Sequence, residues 1–124
     1  MREDDLIRLK AMQDATRRAL GYAEGRSRVD LETDLTLLLF TKKALEIIGT
    51  AATKTTRECK MRYDQFPWKF VVEFGKRSNK QKALAENELD RMWSIVTAEL
   101  PRLAGLLEGI LAQENDNNRQ PGGG

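Results

Sequence analysis

The chain has 124 residues, 40% of them apolar and 32% charged, and a net charge of +2. That is the size of one domain with its own core, and the excess of positive charge is too small to mark the whole surface as nucleic-acid-binding. With no histidine and one cysteine, Cys59, the chain lacks the commonest neutral-pH proton shuttle, a disulfide framework and a zinc or iron ligand set, so no metal or cofactor is expected.

Met1 to Lys10 is acidic and then amphipathic, without the apolar core of a signal peptide. The longest apolar stretch, Leu37 to Phe40, is far too short to span a bilayer. A soluble, cytoplasmic protein without a membrane partner is expected. The first helix is predicted from about Glu3 to Ala23. Leu6, Leu9, Met12, Thr16, Ala19, Leu20 and Ala23 share one stripe at helical spacing, and Gly25 closes the helix.

Asp30 is the predicted N-cap of a second helix, Leu31 to Thr55. Its apolar residues (Leu37, Leu38, Phe40, Leu45, Ile47, Ile48, Ala52) cover about half the circumference and leave Lys42, Lys43, Glu46 and Thr50 as a narrow polar strip. Such a helix is central to a bundle, or carries both core and dimer contacts. Thr56 to Gln65 reads as a short helical turn, interrupted at Phe66-Pro67, and Pro67 suits the first position of a new helix. Phe70-Val71-Val72 is read as helix, because an isolated strand would have no partner.

In the last helix Leu89, Met92, Trp93, Val96, Leu100, Leu103, Leu107, Ile110 and Leu111 keep one stripe across Pro101, which predicts a single helix kinked there. The tail from Asn115 is polar and glycine-rich and is expected to be disordered. The expected architecture is therefore all-α: an up-and-down bundle of four main helices over residues 1–114, with a disordered tail at 115–124.

Between the two patterned halves lies GKRSNKQKAL, Gly75 to Leu84, which gathers Lys76, Arg77, Lys80 and Lys82 without an acid. A concentrated cation site of this kind suggests phosphate binding.

The N-terminal half through KKALEIIGTAA, the FPW at Phe66 to Trp68, and LDRMWSIVTAELPRLAGLLEGIL resemble the HepT-like ribonuclease toxin family of the HEPN group. The resemblance implies a HEPN-like bundle and a metal-independent ribonuclease acting as a homodimer. It also implies a nucleotidyltransferase antitoxin that adds AMP to a motif tyrosine. The family's active segment reads G-x-R-N-x-x-x-H-x-Y. Gly75 and Arg77 match its first elements, Ser78 stands at the asparagine, Lys82 at the histidine and Leu84 at the tyrosine.

These departures decide the expected chemistry. RNA cleavage needs a base for the 2′-hydroxyl, a cation for the phosphate and an acid for the leaving oxygen. For Lys82 to serve as base, its pKa would have to fall from ~10.4 to about 7, at roughly 4–5 kcal/mol. Arg77 keeps its oxyanion-binding guanidinium, and Leu84 has no hydroxyl to modify. The expectation is a HepT-like toxin component impaired in catalysis, with Lys76, Arg77, Lys80 and Lys82 holding RNA phosphates. The alternative is a helical dimerising module outside any toxin system. Clean resemblance on both flanks of Val71 to Glu88 also suggests that gene decay rewrote the segment between them.

Overall fold

The computed structural model describes residues 2–78 and 86–119, and every regular element among them is helical. Helix α1, Glu3–Ala23, has the predicted bounds and buries Leu9, Met12, Ala15, Thr16 and Ala19. Glu3, Asp4 and Asp5 complement the positive end of its dipole. The chain then turns at Gly25, whose φ of 72° disfavours any residue with a Cβ.

The second helix departs from expectation. Instead of one helix capped by Asp30 there is a single turn, α2 (Asp30–Thr33), a break at Asp34, and then α3 (Leu35–Lys54). Asp34 is extended at φ −120° and ψ 97°, and its carboxylate caps α3 by accepting from the Leu37 amide at 3.1 Å. Arg26 holds it there, donating to Asp34 at 2.7 Å. A side chain that caps and pairs at once offers the backbone more than one further helical bond, so the helix restarts. Asp30 accepts instead from the Ser27 amide at 2.7 Å and so fixes the preceding turn.

Helix α3 packs against α1 on one side and against α5 (Trp68–Ser78) on the other, the two-sided contact its wide apolar arc implies. The second contact is unusually close. A Cβ added at Gly49 would lie 2.5 Å from the Cα of Gly75, and one at Gly75 would lie 2.5 Å from the Cα of Gly49. Only paired glycines allow these backbones to touch.

Between them, α4 (Arg57–Arg62) is capped by Thr56, whose hydroxyl oxygen accepts from the Cys59 amide at 3.2 Å. Thr56 in turn donates its amide (2.9 Å) and hydroxyl (2.6 Å) to the buried carboxylate of Asp5, which ties α4 to the start of α1. At the entry to α5 the Phe66 and Trp68 rings pack 4.6 Å apart, and Trp68 donates its indole N–H to the Tyr63 carbonyl at 3.0 Å.

The expected kink at Pro101 takes a specific form. Helices α6 (Glu86–Ser94) and α7 (Leu100–Arg119) are joined by a π-helical turn, Ile95–Glu99, in the turn before the proline. The Leu100 amide reaches back to the Ile95 carbonyl, a widened turn beside a residue that has no N–H to donate. The apolar stripe passes through unbroken, with Leu89, Met92, Val96, Leu100, Leu103, Leu107 and Ile110 all buried. Helix α7 also runs on to Arg119, so Asn115 to Arg119 are helical where a disordered tail was expected. The remaining residues, 120–124, lie outside the described residues.

Candidate phosphate-binding site

The cationic segment begins inside α5. The helix buries Val71, Phe74, Gly75 and Ser78 on one face, which leaves Lys76 and Arg77 exposed on the other. Gly75 is thus a packing residue set against Gly49. Arg77 donates to Glu88 of α6 at 2.5 Å, so its guanidinium is already paired with a carboxylate across the two helices. A phosphate would have to displace that partner. Lys80, Lys82 and Leu84 lie outside the described residues.

Lys76 has a different setting. It stands at the edge of an open groove of about 490 Å³ that spans α1, α3 and α5. Of the polar strip read from the sequence, Lys43, Glu46 and Thr50 line it and Lys42 does not; Lys54 one turn further on and Arg8 of α1 line it as well. The groove's cations are therefore Arg8, Lys43, Lys54 and Lys76, against the single carboxylate of Glu46. That carboxylate is shared by Lys43 at 3.7 Å and Lys42 at 4.0 Å, so the groove keeps a positive excess. Arg8 is half-buried, and its Nε is the one buried side-chain nitrogen or oxygen among the described residues without a hydrogen-bond partner.

Neither the Cys59 thiol nor the Tyr22 and Tyr63 hydroxyls line this groove. Burial pushes the Cys59 thiol up to about 11, reinforced by the negative charges of Asp5 and Glu114. Burial likewise raises the Tyr63 hydroxyl above its usual range, helped by the hydrogen bond it donates to Glu114. Tyr22 packs its ring 5.5 Å from that of Phe40. The groove has cations with which to hold an anion, and its lining includes neither a histidine nor a cysteine to move a proton.

Arg8 and Lys54 were missed as site residues, because they join Lys76 only through helix packing across long sequence separations. One signal was available: Lys54 continues the polar strip of α3. Arg8, next to the buried Leu9, carries no such signal in the sequence.

Fold and site together define an all-helical domain with a cationic groove across three helices. No family model matches this sequence, and no curated protein or solved structure matches it. Among the described residues no helix is long and apolar enough to cross a membrane.

Proposed function

We propose that this chain is a HepT-like helical module that binds RNA and does not cut it: a toxin-family component whose catalytic segment is impaired. In this reading its helices form a HEPN-like up-and-down four-helix bundle. The observation that carries the proposal is the crowding of cations around the end of α5, with Lys76 at the groove and Arg77 beside it, in a chain without histidine. The sequence resemblance supplies the ligand class, and the cations supply the means of holding it. Arg77, Lys76, Lys80 and Lys82 contact phosphates, with Arg77 exchanging Glu88 for the ligand. Lys82 and Leu84 cannot perform the proton transfer or accept the nucleotide that the family's histidine and tyrosine imply.

Two partners accompany this reading. One is a second copy, docked on α3 where Leu35, Leu39 and Phe40 are exposed apolar side chains outside the groove lining. The other is a nucleotidyltransferase-type antitoxin, which would bind without modifying the segment. A helical interaction module outside any toxin system remains the competing reading, favoured by the same exposed apolar face. Incubating the purified protein with labelled RNA decides between them: the RNA-binding reading requires a salt-sensitive complex with the RNA intact, and absence of any complex supports the interaction module.

A further inference from the structure

The Arg8 groove has properties that RNA binding at the end of α5 does not require. Its cations come from three helices: Arg8 from α1, Lys43 and Lys54 from α3, Lys76 from α5. The α3–α5 wall is held in place by the Gly49–Gly75 backbone contact. The only lining carboxylate, Glu46, already serves two lysines. An arginine Nε sequestered from water without a partner is costly, and a guanidinium satisfies that donor best with an oxyanion that takes two of its N–H groups side by side.

We infer that this groove is a binding site for a compact phosphoanion, a phosphate monoester or diphosphate, with Arg8 as the principal ligand and Lys54 and Lys76 as supporting charges. Charge density separates this ligand from an RNA backbone. A diester phosphate carries one negative charge and is followed by a neutral sugar, whereas a monoester or diphosphate brings two or more charges into one small volume. Four cations around about 490 Å³ match the second. That volume suits a small ligand of nucleotide size. The groove is open to solvent, so the ligand enters without a rearrangement of the helices, and the Arg8 guanidinium turns toward it to bring its shielded Nε into contact.

The inference shares Lys76 with the RNA-binding reading but is separable from it, because it also uses Arg8 and Lys54 and leaves Arg77 on Glu88. Its test is titration of the full chain with inorganic pyrophosphate, followed by calorimetry and by amide NMR spectra, with sulfate at matched ionic strength as control. Saturable pyrophosphate binding is expected, with the largest amide shifts at Gly49, Thr50 and Gly75. Affinity should fall about tenfold or more in Arg8→Met and remain within about twofold of wild type in Arg77→Ala. Lys54→Ala and Lys76→Ala change exposed side chains that the core does not use, so they report on the site even if Arg8→Met unfolds. Each should weaken binding about threefold. No saturable binding at millimolar pyrophosphate, equal response to sulfate, or amide shifts confined to residues 86–91 would overturn it. An RNA oligonucleotide lacking terminal phosphates, added in parallel, tests the RNA-binding reading separately. An RNA complex lost in Arg8→Met and displaced by pyrophosphate would overturn the assignment of a compact ligand.

Discussion

Glu114 is a carboxylate with 1% of its surface exposed, and Tyr63 and Arg62 make it tolerable: the phenol donates a hydrogen bond and the guanidinium lies 3.3 Å away. Removing one donor from a buried charge leaves it partly unpaired. Tyr63→Phe should therefore destabilise the fold by about 2 kcal/mol, read as a lower urea midpoint. Cys59 sets a pH dependence. Its native thiol ionises only at about 11 against an ordinary 9.0, so in alkali the unfolded chain loses its proton first. Stability from the neutral thiol is complete below pH 9 and is lost as pH rises from 9 to 11, and the raised Tyr63 hydroxyl acts in the same direction at higher pH. The urea midpoint should fall across that window less steeply in Cys59→Ala than in wild type. Identical slopes would show that the thiol is not protected.

At the scale of elements, the helical glycines divide into two kinds. Gly49 and Gly75 each leave no room for a Cβ, whereas Gly105 and Gly109 on α7 have nothing within 4 Å of one. Alanine at Gly49 or Gly75 must push two backbones apart, at about 3 kcal/mol, which outweighs the ~1 kcal/mol that alanine gains over glycine in helix propensity. A melting temperature lower by roughly 10 °C is expected for either variant. At Gly105 or Gly109 only the propensity remains, so alanine should raise the melting temperature. The helix elements themselves were largely legible in the sequence: α1, α5 and the stripe through Pro101 follow from spacing that one helix can satisfy by itself. What escaped depended on partners elsewhere. The break at Asp34 needs Arg26 to hold the carboxylate, the contact of Gly49 with Gly75 needs two helices to cross, and the pairing of Arg77 needs Glu88 from the next helix. The groove was half legible: its α3 strip was visible, but Arg8 enters only through tertiary packing.

For the whole molecule, the near balance of charge, +2 in 124 residues, means that any attraction for RNA is a property of one face. The opposite character on the outer face of α3, where Phe40 is 52% exposed, should make the protein a dimer at micromolar concentration by light scattering and Phe40→Glu a monomer. A monomeric wild type would remove the homodimer from the account. The central claim, that this chain holds RNA without cutting it, is tested most directly by one measurement. Wild type and Arg77→Ala are incubated with end-labelled RNA over a series of salt concentrations, with complex and product read from the same samples. The account requires a complex that weakens as salt rises, with a log–log slope of roughly −0.7 per phosphate contact, weaker in Arg77→Ala, and RNA of unchanged length in both. Cleavage by the wild type that disappears in Arg77→Ala would contradict it.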